Sequence, residues 1–381
     1  MNVLLTCAGR SNSLVHYFQV ALGHRGVAIA CDASDNAPAL AAAQEEILVP
    51  SVDHPDYFDV LLSICRERHV RLIVSVNDLE IMGLARRASS FHDAGTIPIV
   101  ASPEIVATCH DKWAAFRWLR AHGLQTPETY ASLADARTAI ARGVLRFPLM
   151  IKPRWGSRSI GIEVVENERE LELALEWGKI QIHRTILAKM SQADPDNAFV
   201  IQECIEGQEY GIDVVNDLKG QYAATLARRK LAMRGGNTDR AVSVIEPRLE
   251  DLGKALGRHL AHPGSVDCDV MVTDKGCFVL DINPRFGGGY PFSHQAGANL
   301  PAALIAWADG EEPDPSWLRS VPGVLSSRYD GLMMVDRAFP VGAASGQPSI
   351  QNGSGPDTDV LTKQFREVSL AVGAVDDQPL G

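Results

Sequence analysis

The residues that promise chemistry lie late in the sequence. Phe278-Val-Leu-Asp-Ile-Asn283 runs directly into Pro284-Arg285-Phe286 and three glycines, Gly287 to Gly289. In an extended chain, side chains alternate between faces, so Asp281 and Asn283 share one face while Leu280 and Ile282 share the other. Two side-chain oxygens at a strand end suit a hard divalent cation, and magnesium held by few protein oxygens leaves positions open for phosphate. Pro284 ends the ladder, Arg285 presents a planar fork to an anion, and the glycines let backbone N–H groups approach a ligand. Asp269 lies on the preceding arm of a hairpin that turns at Thr273-Asp-Lys-Gly276, where it is available to face Asp281. An edge strand ending in an ordinary Asn-Pro turn would contain the same short motif.

A second group of residues offers cations and donors. Phe147-Pro-Leu-Met-Ile151 reads as an apolar strand ending at Lys152, followed by Pro153-Arg-Trp-Gly-Ser-Arg-Ser-Ile-Gly161. That loop combines glycines, serines and arginines between two strands, so it can fold over a triphosphate or form a plain hairpin with a basic tip. It is not a Walker A loop, because no G-K-[ST] follows and no helix start is evident. Lys112 opens a helical pattern through Trp113, Phe116 and Leu119 that closes at His122-Gly123. Arg228-Arg-Lys230, beside the turn Gly235-Gly-Asn-Thr238, reads by default as a solvated rim, and phosphate contact is the sharper alternative.

The elements that must position these residues fall into two styles. Over the first hundred residues, the short apolar runs Val3–Thr6, Val27–Ala30, Arg71–Val76 and Ile97–Val100 alternate with helical patterns, which predicts a doubly wound parallel sheet. Asp32 sits where a ribose-binding acid would in a dinucleotide fold. However, Gly9 stands alone, with Ser11 and Leu14 at the other fingerprint positions, and nicotinamide binding is rejected. Asp78 and Glu80 follow a strand's C-terminal end, where such sheets place ligands, although a solvated helix cap explains them equally. Further on, Ala198–Glu203, Gly211–Val215, Gln221–Ala227 and Ala241–Ile245 alternate as antiparallel strands do. Gly310-Glu-Glu-Pro-Asp-Pro reads as a boundary, Asp330–Val335 as one more strand, and the Gly/Ser/Pro/Asp-rich stretch from about Ala344 as a mobile tail.

Composition narrows the class. The 381 residues are enough for two or three domains, and 46% hydrophobic with 22% charged residues is globular. A formal net charge of -11 without a basic run argues against a nucleic-acid partner. Seven scattered cysteines without a C-x-x-C pair suggest reduced core thiols in a cytoplasmic protein, with neither disulfide framework nor zinc site. No membrane-spanning run or signal peptide is expected.

In order, Asp111-Lys112, Pro148-Leu-Met-Ile-Lys-Pro153 with its loop, Gln202-Glu-Cys-Ile-Glu-Gly-Gln-Glu-Tyr210, Asp269 and Asp281-Ile-Asn-Pro-Arg285 resemble the ATP-grasp superfamily. The resemblance covers about residues 1–335 and is nearest the branch containing the ATP-grasp units of the carbamoyl-phosphate synthase large subunit. It implies a pre-ATP-grasp α/β domain over 1–105, a small lobe with linker helix and flap over 106–202, and a C-terminal lobe with the metal site over 203–335. Residues 336–381 are left as a tail. It also implies ATP and magnesium as cofactors, with manganese as an alternative metal. Lys112 and Lys152 would reach the phosphates, and the loop through Gly156, Ser157, Ser159 and Gly161 would close over them. Glu203 and Ile205 would meet adenine and Glu209 the ribose, Asp269, Asp281 and Asn283 would hold the metal, and Arg285 with Lys152 would act in catalysis. The implied reaction is carboxylate–amine ligation through an acyl phosphate, on an amino acid or small peptide, in an enzyme with no membrane partner and room for a homodimer. A bicarbonate-activating enzyme and a non-catalytic nucleotide-binding module are the alternatives. The sequence departs from the family at Asp281, where Glu is usual, and at Arg158, where glycine is common. His294 and Asp239 are weaker candidates for assisting amine deprotonation.

Overall fold

A computed structural model describes residues 1–156, 161–185 and 187–334. Residues 1–335 cluster as one unit and 336–381 as another, so the expectation of a mobile tail lies outside the described residues.

The chain begins with β1 (Asn2–Thr6), α1 (Asn12–Leu22), β2 (Ala28–Asp32), α2 (Pro38–Ala42), β3 (Glu45–Leu48) and α3 (Tyr57–Glu67). It continues through β4 (Val70–Ser75), α4 (Asp78–Arg86), α5 (Ala88–Asp93) and β5 (Ile97–Pro98). The five strands pair in parallel in the order β3-β2-β1-β4-β5. A parallel sheet covered on both faces needs apolar side chains at every position of its central strands. Val3 and Leu5 enter the cluster formed with Val15, Phe18 and Leu22 of α1, while Leu4 enters the opposite cluster with Leu61 of α3 and Ile81 of α4.

Next come α6 (Pro103–His110), α7 (Lys112–Ala121), β6 (Thr129–Tyr130), α8 (Leu133–Ala141) and β7 (Leu149–Pro153). They are followed by β8 (Glu163–Val165), α9 (Glu168–Ile182), α10 (Ala188–Ser191) and β9 (Phe199–Glu203). The antiparallel sheet β6-β9-β7-β8 forms here, with Lys152 opposite Val200. Asp111 starts α7 by accepting the backbone N–H groups of Trp113 and Ala114, which otherwise lack helical partners.

The largest sheet uses β10 (Gln208–Asn216), β11 (Tyr222–Arg234) and β12 (Asn237–Val244), then α11 (Pro247–Leu260), β13 (Gly264–Thr273) and β14 (Gly276–Asn283). After α12 (Tyr290–Gln295), α13 (Leu300–Asp309) and a single 3-10 turn, β15 (Leu325–Ser327) adds to its edge. The antiparallel order is β14-β13-β10-β11-β12-β15. Leu249, Leu252, Leu256 and Leu260 repeat at helical spacing on α11 and cover Ile212, Val214, Val266, Cys268 and Val270 on one face of this sheet. The other face is shared between charged side chains and the apolar Val215, Ala224 and Leu226.

Three expectations change. Strand pairing runs through the supposed basic patch as far as Arg234, because Gly235 and Gly236, both at positive φ, turn the hairpin only there. Gly310 caps α13 rather than ending the fold: the chain beyond it returns to pair β15 with β12. The strand expected at 330–335 is absent among the described residues, Gly331 to Met334 having no regular structure and Leu332 lying fully exposed.

Candidate functional site

Strand register creates the site. Asp269 lies opposite Asp281, and Asp267 opposite Asn283. On β10, Glu209, Gly211 and Asp213 alternate with Tyr210, Ile212 and Val214, so the acids stand on the face that α11 does not cover. Arg228 and Lys230 join that face from β11. Neither is a solvated rim residue: they are 2% and 8% exposed.

Arg228 donates from Nη1 to Asp213 Oδ2 at 2.7 Å and from Nη2 to Asp267 Oδ1 at 2.8 Å. Gly211 makes room for it, since a Cβ there would lie 2.9 Å from Arg228 Nε. The glycine turn folds over this buried pair. A Cβ on Gly287 would stand 2.0 Å from Asp267 Cγ, and one on Gly289 would stand 1.9 Å from Arg228 Nη2. Two of the three glycines are therefore required by packing rather than by ligand approach, and Gly288 faces the cleft. Burial pushes the Asp267 carboxyl up to about 6, against the pull of Arg228.

Lys230 Nζ donates to Glu209 Oε1 at 2.7 Å and to Asp269 Oδ1 at 2.5 Å. Burial opposes its charge, but the two carboxylates outweigh burial and raise its pKa. From the small sheet, Lys152 Nζ donates to Gln202 Oε1 at 2.8 Å, and Gln202 is held in turn by donating to Thr129 Oγ1. Burial pulls the Lys152 pKa down, while Asp281, Asp269 and Glu209 act in the other direction across the gap between the sheets. Lys112, the first residue of α7, donates to the Gly156 carbonyl at 2.6 Å and lies 3.9 Å from Asp281 Oδ1. Lys112, Lys152, Lys230, Glu209, Asp269 and Asp281 thus form one interacting set of charges.

Through Asp281 the set meets a cleft of about 530 Å³. Asp281, Asn283, Arg285 and Gly156 line one side of it, and Gly9, Arg10, Asn77 and Asp78 of the first domain line the other. Arg285 is clasped by Asp78, with Nε to Oδ1 at 2.5 Å and Nη2 to Oδ2 at 2.8 Å. Asp78 is therefore no solvated cap; Asn77 caps α4 instead. Glu80 is fully buried and accepts from Thr6, Ser75 and Tyr57. Asp32 accepts the Gly9 and Ser34 backbone N–H groups, a turn-fixing role.

Other expected residues are less central. Glu203 Oε2 accepts the Glu128 backbone N–H at 3.2 Å, and Ile205 is half-buried between β9 and β10. Gly161 has φ +69 and packs on Pro153, whereas Ser157, Arg158 and Ser159 lie outside the described residues. His294 stacks on Tyr17 with ring centroids 3.6 Å apart, and Asp239 pairs with Arg234.

Among the described residues, no group of three or more His, Cys, Asp or Glu side chains forms a metal site by itself. Asp269, Asp281 and Asn283 offer three side chains, two of them charged. Such a set fits magnesium that completes its shell with phosphate and water. Sequence reasoning named Arg228 and Lys230 only as a rim or phosphate patch and missed Asp213 and Asp267, although R-x-K at 228–230 and D-x-D at 267–269 each put two charges on one face of a strand.

Residues 3–100 match the family described as PylC-like, N-terminal domain, and residues 109–289 match the ATP-grasp domain. The fold is shared with the biotin carboxylase domain of Hydrogenobacter thermophilus 2-oxoglutarate carboxylase, solved with MgADP, ADP and bicarbonate. That match has 15% identity and a TM-score of 0.64, and covers 82% of this chain and 70% of that one. An L-amino acid ligase from Bacillus licheniformis matches at 16% identity and TM-score 0.63, over 85% of this chain and 78% of its own. The N5-carboxyaminoimidazole synthetase of Staphylococcus aureus, complexed with ADP, matches at 13% identity and TM-score 0.60, over 86% and 79%. At the described positions, no helix is long and apolar enough to cross a membrane.

Proposed function

We propose that this chain, which carries an ATP-grasp domain behind a PylC-like N-terminal domain, is an ADP-forming ligase that joins a carboxylate to an amine through an acyl phosphate. The observation that carries the proposal is the convergence of Lys112 and Lys152 on the large-sheet carboxylates, of which Asp281 lines the cleft. Phosphoryl transfer needs positioning and charge neutralisation more than covalent help from the protein. Asp269, Asp281 and Asn283 would hold magnesium, which when bound screens the phosphate oxygens. Lys112 and Lys152 would lie against the phosphates, Glu209 near the ribose, and Glu203 with the Ile205 backbone at the adenine edge. Lys230 neutralises Glu209 and Asp269 beside these positions. Arg285 would steady the transferred phosphoryl group. The glycine loop containing Gly156, Ser157, Ser159 and Gly161 would exclude water, which otherwise hydrolyses an acyl phosphate. The cleft would take a small-molecule carboxylate and amine, in a homodimer by this reading.

The test is ADP release with MgATP and a panel of amino acids and short peptides, with bicarbonate alone as a separate arm. Release that depends on a carboxylate–amine pair supports ligation. Release with bicarbonate alone supports a carboxylase, the class to which one structural neighbour belongs. Silence in every arm overturns both. Lys152→Ala and Asn283→Ala are expected to abolish ADP release without lowering the melting temperature, and normal turnover in either refutes the site.

A further inference from the structure

We infer that Asp78, contributed by the N-terminal domain, is a positioning residue for Arg285 and fixes the plane of its guanidinium for the transferred phosphoryl group. The inference rests on the ligase reading above. Arg285 follows β14 by two residues, on a turn in which Gly287 and Gly289 are committed to packing on Asp267 and Arg228. A free arginine samples many rotamers, so holding its fork in one plane costs entropy unless a partner fixes it beforehand. Asp78 supplies that partner by taking the Nε and Nη2 edge of the fork. Arg285 Nη1 donates to the Phe286 carbonyl at 3.1 Å, and Nη2 also approaches Asn283 Oδ1 at 3.5 Å.

The clamp is itself rigid. Asn77 caps α4 by accepting the Leu79 N–H at 3.1 Å, and the Asn77 N–H donates to Ser75 Oγ at 3.2 Å. Two residues beyond Asp78, the buried Glu80 carboxylate gathers hydroxyls from β1, β4 and α3. The first turn of α4 is thus tied to three elements of the first domain before Asp78 reaches across to Arg285. Both residues line the same cleft as Asp281 and Asn283, so the pair lies inside the site.

The test is calorimetry on the full chain, titrating MgADP and then inorganic phosphate into the MgADP complex, with melting curves as fold controls. Asp78→Asn and Arg285→Met are each expected to leave MgADP affinity within about twofold while weakening phosphate by about tenfold or more. The double variant should be no weaker than Arg285→Met alone, because both changes remove one action. If Asp78→Asn fails to fold, Asp78→Glu, which displaces the carboxylate by one methylene, is read in the same way. Unchanged phosphate binding in the Asp78 variant, losses that add in the double variant, or a wild type that binds MgADP but no phosphate would each overturn the inference alone. A wild type that binds no MgADP would overturn the ligase reading and the inference together.

Discussion

The two large sheets handle buried polarity in opposite ways. In the parallel sheet the one deeply buried acid, Glu80, is satisfied by neutral hydroxyls, and the rest of the interior is apolar. The antiparallel sheet gives much of one face to ions: Asp213, Arg228 and Asp267 form a buried inner group, with Glu209, Lys230, Asp269 and Asp281 beside it, while Val215, Ala224 and Leu226 of the same face stay apolar. A sheet covered by helices on both faces has no side to spare for charge, whereas an antiparallel sheet with one helix-covered face does. The inner ion group and the outer one also differ in purpose. The inner group packs under the glycine turn, whereas the outer group contains the carboxylates proposed for the metal.

Arg228→Leu gives the sharpest test of that division. It leaves Asp213 and Asp267 buried without their cation, so a loss of roughly 3–5 kcal/mol is expected by chemical denaturation. A loss below 1 kcal/mol would mean the inner group is not sealed. For the outer group, Asp281→Asn should cut ADP release by about a hundredfold or more, the scale of losing one electrostatic partner in a transition state, with stability within about 1 kcal/mol. A large fall in melting temperature would erase the distinction between the groups. In the parallel sheet, Glu80→Gln exchanges an acceptor of three hydroxyls for an amide and should cost about 1–3 kcal/mol, less than Arg228→Leu because no ion is orphaned.

The last test concerns pH and acts only below the ordinary histidine range. Burial lowers the His262 pKa from 6.5 to about 3. The unfolded chain therefore binds a proton there that the folded chain does not, so stability present above pH 6.5 falls as pH drops toward about 3. The slope from this group alone is about 1.4 kcal/mol per pH unit inside that window. His262→Leu should flatten the acid limb of a stability–pH curve between those limits, and an unchanged limb would refute it.

The parts that were legible in sequence are those whose signal is local. Buried parallel strands must be apolar throughout, so Val3–Thr6 and Arg71–Val76 could be read directly. Asp281, Asn283 and Arg285 announced themselves through alternation and a proline. What escaped depends on register. Arg228-Arg229-Lys230 looks like a solvated run until Asp213, Asp267 and Asp269 are known to lie alongside, and those residues are 15 to 41 positions away in the chain. The same holds for β15, whose three residues carry too little pattern to be seen without β12 beside them.

One hydrophobic cluster joins Val15, Phe18 and Leu22 of α1 to Leu300 and Leu304 of α13, together with Val215 and Leu226 of the largest sheet. During synthesis, the flank of α1 that α13 will cover emerges almost three hundred residues before its cover does. At ~5–20 residues per second, that flank faces solvent or a chaperone for roughly fifteen to sixty seconds after translation passes it. Nascent chains stalled before residue 300 should accordingly be more prone to aggregate than chains stalled after residue 310.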